Sequence, residues 1–219
     1  MNGLPQDIAE RIESIVRQVV DEVVPPFGDR TVPLGISARH MHVTDEHLQI
    51  LFGAGATLTK LRDLTQPGEF AAEETVAVMG PNRRIFGKVR ILGPTRAFSQ
   101  IELAFTDGVY LGMDLPHRIS GEIKESAPIT VIGPEGVLRL PEGAIRAMRH
   151  IHMNPETAQR LGVQNGDKIP VRTHGPASIT FNDVVIRIKE GLLLQMHVDT
   201  DEANAAGLDP QNAFGEMLL

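Results

Sequence analysis

Four Gly-Pro pairs, at Gly80-Pro81, Gly93-Pro94, Gly133-Pro134 and Gly175-Pro176, cut this 219-residue chain into pieces too short for long helices. Each pair marks a tight turn, because proline lacks the N–H that a helix interior or a central strand needs. Between the turns lie short runs rich in β-branched residues, at 75–79, 85–92, 100–105, 129–132 and 182–189. These runs predict strands, and many short strands with few long helices predict barrels or a sandwich. A weak repeat, VAVMGPN at 76–82 against TVIGPE at 130–135, points to two similar units.

The first 28 residues read differently. Ile8, Ile12, Ile15, Val16, Val19, Val20 and Val23 recur at helical spacing, with Glu10, Arg11, Glu13, Arg17 and Asp21 between them. An amphipathic helix over residues 6–24 is expected, stopped by Pro25 and Pro26 and joined to the body by a linker at 27–31. On pattern alone it either packs on the body, pairs with a second copy, or docks to a partner. Its mixed charges lack the basic excess of a membrane-surface helix. A net charge of -7 without a basic cluster argues against nucleic acid or a membrane as partner. No long apolar span and no signal-like N-terminus occur, so a cytoplasmic protein is expected.

The chain has no cysteine, so a transition metal would have to be held by histidine and carboxylate. A stronger repeat then matters: Arg39-His40-Met41-His42 and Arg149-His150-Ile151-His152. Chance predicts only about 0.3 His-x-His pairs for eight histidines in this length. On a strand, residues two apart share a face, so each motif offers paired imidazoles to one side. Each also leads into a short helix with a cap and a glycine exit: Thr44 to Gly53, and Asn154-Pro155 to Gly162. His197, Asp199 and Asp201 read as a third copy of this pattern, aligned with His40, His42 and Thr44, with Asp201 as cap and Gly207 as exit. That makes His197 a further candidate ligand, while Asp199 is either a lesser ligand or, more simply, a helix-start carboxylate. His47, His117 and His174 read as ordinary surface or core histidines.

Two more residues are ambiguous alone. Arg96, in the turn LGPTR, has a guanidinium suited to phosphate but by default is a solvated surface residue. Glu102 alternates with Ile101 and Leu103 and so faces either solvent or a site.

Five ordered blocks give the chain a wider resemblance: PLGISARHMHV at 33–43, LTKLRDLTQPGEFAAEET at 58–75, VRILGPTR at 89–96, RHIHMNP at 149–155 and HVDTDEANAAG at 197–207. Together they resemble the PduL family of phosphate propanoyltransferases, the microcompartment-type phosphotransacylases. The resemblance implies a mainly β fold of two small β-barrel domains capped by short α-helices. Residues 29–40 with 148–219 would form one barrel and 41–147 the other, bringing the two His-x-His motifs together. It implies metal ligands at His40, His42, Glu102, His150, His152 and His197, holding two ions of zinc or a similar divalent metal, and it puts Arg96 on phosphate as a catalytic residue. Ala38 departs from the asparagine expected before the first motif. The N-terminal helix resembles an encapsulation peptide, implying microcompartment shell or core proteins as partners, and a homo-oligomer is the expected state.

The implied reaction interconverts acyl-CoA, propanoyl or acetyl, plus phosphate with acyl phosphate plus coenzyme A, by metal-assisted attack of phosphate on the thioester. A zinc-dependent thioester or phosphoester hydrolase is the alternative, since the same ligands can activate water; a non-catalytic adaptor around a structural metal is a third. The residues that contact coenzyme A stay open: Lys60 and Arg62 either meet its phosphates or form a solvated rim.

Overall fold

The computed structural model describes residues 28–219 together with Arg11, which is helical and exposed. The rest of the helix expected over 6–24 lies outside the described residues. A short 3-10 turn, Gly28–Arg30, leads into strand β1 (Thr31–Ser37). Then come β2 (His40–His42), helix α1 (Asp45–Phe52), β3 (Lys60–Asp63), β4 (Phe70–Met79), β5 (Ile85–Gly93), β6 (Gln100–Glu102) and α2 (Phe105–Leu111). These are followed by β7 (His117–Arg118), β8 (Ala127–Ile132), β9 (Val137–Ala147), β10 (His150–Met153) and α3 (Pro155–Leu161). The chain finishes with β11 (Lys168–Thr173), β12 (Thr180–Ile188), β13 (Gln195–Asp199), α4 (Thr200–Ala205) and β14 (Phe214–Met217). No helix among the described residues is long and apolar enough to cross a membrane.

The strands form two six-membered rings. The second closes as β1-β13-β10-β12-β11-β14. The first runs β4-β5-β2-β6-β9 and closes because β8 pairs with both β4 and β9, leaving β3 and β7 outside the ring. Strand sense matches around both rings. β2 lies parallel to β5 and antiparallel to β6, as β10 lies parallel to β12 and antiparallel to β13. Lys88 and Asp183 even share a left-handed backbone, with φ of 56° and 55°, each two residues before the partner of a motif histidine. Each ring has its own apolar core.

The rings exchange strands. β1 belongs to the second ring although the next strand, β2, belongs to the first; β9 belongs to the first although β10 belongs to the second. Both Arg-His-x-His motifs therefore begin where the chain crosses from one barrel to the other. Met41 and Ile151, between the paired histidines, are fully buried in the cores of their respective barrels. The histidines on the opposite face thus point outward from each barrel, yet His40, His42 and His150 are 7%, 4% and 8% exposed.

Two Gly-Pro turns serve as seats for helices. A Cβ on Gly80 would stand 2.1 Å from the Leu111 carbonyl oxygen at the end of α2, and one on Gly133 would stand 2.3 Å from that of Leu51 near the end of α1. The weak repeat thus marks two places where a helix end lies flat on a turn that only glycine leaves open.

Several sequence expectations need correction. The run at 100–105 is strand only to Glu102; Ala104 is the cap of α2 and Phe105 its first residue. Asp107 ends the strand early, because its carboxylate accepts the Ala104 N–H at 3.1 Å and starts a helix turn instead. The cap of α4 is Asp199 rather than Asp201: Asp199 Oδ1 accepts from Glu202 N at 2.8 Å. Asp201 caps across the molecule, accepting from Thr106 N of α2 at 2.8 Å and from its hydroxyl at 2.7 Å. Finally, His197 stands on a strand that runs into a capped helix, as expected, but that strand corresponds to β6 and not to β2 or β10. It pairs with His150 in the position that Glu102 occupies opposite His40.

Candidate metal centre

Each triad is built from one His-x-His strand and the antiparallel strand beside it. In the first barrel β2 brings His40 and His42, and β6 brings Glu102; in the second β10 brings His150 and His152, and β13 brings His197. The donor atoms of His40, His42 and Glu102 lie within 4.8 Å of one another, as do those of His150, His152 and His197. His40 Nε2 and Glu102 Oε2 are 3.6 Å apart. A tetrahedral zinc with ligands at about 2.0–2.1 Å puts donor atoms roughly 3.4 Å apart, so the spacing suits a shared ion.

Hydrogen bonding fixes which ring nitrogens face the centre. His40 Nδ1 lies 2.9 Å from the Ala38 carbonyl, and His150 Nδ1 lies 2.9 Å from the Met148 carbonyl. A carbonyl only accepts, so each Nδ1 carries the proton and each Nε2 turns its lone pair to the triad. The backbone supplies this contact, so it does not depend on the side chain at position 38, where alanine stands in place of the expected asparagine. His42 Nδ1, His152 Nδ1 and His197 Nε2 are buried with no hydrogen-bond partner. Orphaned buried nitrogens are costly, and three aimed at two clusters of donors fit ions as the absent partners.

Electrostatics agree with ligation. Burial, followed by the neighbouring His40 and Arg96, lowers the pKa of His42 to about 3. Burial and His152 lower that of His150 to about 4. His152 and His197 fall to about 3 through burial, with His197 acting on the former and His150 on the latter. These four imidazoles are neutral at pH 7, the form that binds metal. For Glu102 burial pushes the pKa up, but His40, His42 and the Ser120 hydroxyl outweigh it and hold the carboxyl at about 2. The glutamate is held from one side: Oε1 accepts from Gln100 Nε2 and from the Ser120 hydroxyl, each at 2.6 Å. Oε2 is left for the centre.

The arginine that opens each motif is a brace. Arg39 Nη2 and Nε donate to Asp107 at 2.7 and 3.2 Å, and Arg149 Nη1 donates to Glu202 at 2.5 Å. Asp107 and Glu202 each occupy the third position of the helix that follows the third ligand. One ion pair in each barrel therefore ties the His-x-His strand to the strand carrying Glu102 or His197.

The triads meet. Glu102 of one and His150 and His197 of the other line a single small cleft, with Ser37, Met148 and Asp199 also on its wall. Arg96 lies near both, since its charge bears on His42 and on His152. Its backbone N–H bonds the Val43 carbonyl at 2.9 Å, and Nη2 donates to Glu69 at 2.9 Å, leaving other donors free. His47 is outside the triads, with Nδ1 2.7 Å from the Ser99 hydroxyl; His117 and His174 are outside them too. Lys60 and Arg62 are exposed on β3, where Lys60 pairs with Asp63 at 3.0 Å. Sequence reasoning missed Gln100 and Ser120; Gln100 is two residues from Glu102 on one strand, a same-face signal that could have found it.

Fold and site together define a double-barrel protein with two histidine-rich triads, each able to hold a divalent ion. A phosphate propanoyltransferase family model matches residues 33–209. The chain is 47% identical over 199 residues to a phosphate propanoyltransferase of Lachnoclostridium phytofermentans, covering 90% of this chain and 93% of that one. It is 48% identical over 176 residues to one from Planctopirus limnophila, covering 80% and 72%, and 42% identical over 210 residues to one from Salmonella typhimurium, covering 95% and 97%. The chain belongs to the phosphate propanoyltransferase family and is an acyltransferase.

Proposed function

We propose that this enzyme transfers a propanoyl group between coenzyme A and inorganic phosphate by direct attack of phosphate on the thioester. The observation that carries the reading is that members of both ligand triads, Glu102 from one and His150 and His197 from the other, line one cleft, with the charge of Arg96 bearing on both triads, in a chain of this family. His40, His42 and Glu102 would hold one divalent ion, zinc or similar, and His150, His152 and His197 a second. When bound, such ions supply Lewis acidity for the thioester oxygen and for the departing thiolate.

The protein's own groups do the rest. Arg96 binds phosphate through the guanidinium donors that Glu69 leaves free, and holds it where both triads are within reach. A phosphate oxygen forms the new bond to the carbonyl carbon as the carbon–sulfur bond breaks. Coenzyme A leaves as its thiolate and the propanoyl group leaves on phosphate. No acyl-enzyme is needed, and the chain has no cysteine to form a thioester.

The test is thiol release from propanoyl-CoA with and without phosphate, before and after chelation, with zinc restored to the stripped protein. Phosphate-dependent, chelator-sensitive release supports the reading. Release without phosphate identifies a hydrolase, and none from folded, metal-loaded protein identifies an adaptor. Residues 6–24 would carry the enzyme to microcompartment proteins, a reading supported by their amphipathic pattern and Pro-Pro stop.

A further inference from the structure

We infer that Arg187, on β12 of the second barrel, is a second phosphate-binding residue that works opposite Arg96. The inference rests on the transferase reading above, but three observations point to the residue itself. The first is register. β12 runs parallel to β10, with Val185 beside His150 and Arg187 beside His152. Paired residues on neighbouring strands share a face, so Arg187 stands on the outward face with the imidazoles, while Ile151 and Ile186 fill the barrel core.

The second is an unmet demand. Four other arginines near the centre have protein partners: Arg39 has Asp107, Arg149 has Glu202, Arg96 has Glu69, and Arg90 donates to the carbonyls of Ala72 and Glu73. Arg187 is half-buried, yet it makes no hydrogen bond or ion pair among the described residues. A guanidinium has five N–H donors; those of Arg187 meet no protein acceptor and keep contact with solvent, so they are available to an anion that enters. Nor does barrel construction call for an arginine there, since the corresponding position of the first barrel is Leu92.

The third is convergence. The Arg187 charge bears on His150, His152 and His197 and is itself acted on by Glu102 and by Arg96. Two guanidiniums drawn from different barrels repel each other unless an anion lies between them. A phosphate dianion has the charge and the planar pairs of oxygens that two arginine forks recognise. In the reverse direction the same pair would grip the phosphoryl end of the acyl phosphate.

Initial rates of the metal-loaded enzyme test this, varying phosphate at saturating propanoyl-CoA and the converse, with metal content measured on each variant. Arg187→Gln is expected to raise the KM for phosphate about 10- to 100-fold, the range for loss of charge-assisted hydrogen bonds, and Arg187→Lys to recover part of it. The KM for propanoyl-CoA and the bound metal should match the wild type. An unchanged phosphate KM, a rise confined to propanoyl-CoA, or loss of metal would each overturn the assignment. Thermal-shift titration with inorganic phosphate reads the same contact without turnover. If the wild type releases no thiol with phosphate but phosphate still stabilises it more than the Gln variant, the transferase reading fails while Arg187 stands.

Discussion

Replacing Ser120 by alanine should weaken one triad and spare the other. The Ser120 hydroxyl donates to Glu102 Oε1 at 2.6 Å, and Gln100 Nε2 donates to the same oxygen at 2.6 Å and to the Ser120 oxygen at 3.0 Å. Together they point Oε2 at His40. A hydrogen bond to a charged group contributes about 1.5–3 kcal/mol, and in Ser120→Ala the carboxylate keeps Gln100 but gains freedom to turn away. Partners of this kind typically change metal affinity by about 10- to 100-fold when removed. The His40, His42, Glu102 triad should therefore lose about that much, and Gln100→Leu should lose more, because Gln100 also bonds the Gly121 N–H at 2.8 Å. No such contact reaches His150, His152 or His197, so their affinity should hold. Titrating zinc-loaded protein with a competing chelator reads both sites: one release phase should move to weaker chelator while the other stays. Two phases moving together, or neither moving, would refute the idea that this pair orients the glutamate.

Four further outcomes are expected. Metal-free protein should lose stability as pH falls below about 6.5: His42, His150, His152 and His197 stay neutral when folded, with pKa values of about 3–4, whereas the unfolded chain takes up protons near 6.5. A denaturation midpoint at pH 5.5 equal to or above that at pH 7.5 would contradict this. Gly133→Ala should cost about 2–3 kcal/mol or more, since its Cβ would meet the Leu51 carbonyl at 2.3 Å, and a melting temperature unchanged from wild type would count against the seat. Arg39→Met and Arg149→Met should each lower thermal stability and metal retention while leaving the phosphate KM of remaining holoenzyme unchanged, the reverse of the Arg187 pattern; a raised phosphate KM would show that the braces touch substrate. Removing residues 1–28 should leave turnover intact and abolish co-sedimentation with microcompartment shell proteins, and retained co-sedimentation would end the docking reading.

How much of this was legible in the sequence followed from how local each signal is. Paired histidines two apart on a strand, with caps at Thr44 and Asn154 and exits at Gly53 and Gly162, are set by neighbouring residues, and the helices start and stop there. The segment 100–105 misled because alternation continues through it, while the residue that breaks the strand, Asp107, acts through a cap and through Arg39, 68 positions away. His197 was found for an imperfect reason: spacing to Asp199 suggested a third His-x-His copy, but the duplication aligns it with Glu102, and a histidine opposite a glutamate leaves no sequence repeat to see. Arg187 left one trace, a cation between Ile186 and Ile188 in a β-branched run. Its meaning depends on register with His152, which only the folded barrel supplies.

That same imperfect duplication gives the two triads unequal chemistry. With a divalent ion at each, Glu102 would cancel part of the charge of the first, whereas the three imidazoles of the second cancel none. Arg187 lies beside the uncompensated triad, and Arg96, partly neutralised by Glu69, acts on both. With both ions bound, the centre would be strongly positive inside a chain whose net charge is -7. An acidic surface does not attract phosphate, so attraction is confined to the cleft, where low-dielectric walls focus the field. On the proposed mechanism the dianion would gain most at the all-histidine side, which would leave the side holding Glu102 for the neutral thioester. Salt screening tests this polarity: kcat/KM for phosphate should fall as ionic strength rises, and that fall should be shallower in Arg187→Gln, with equal slopes counting against a charge-led arrangement.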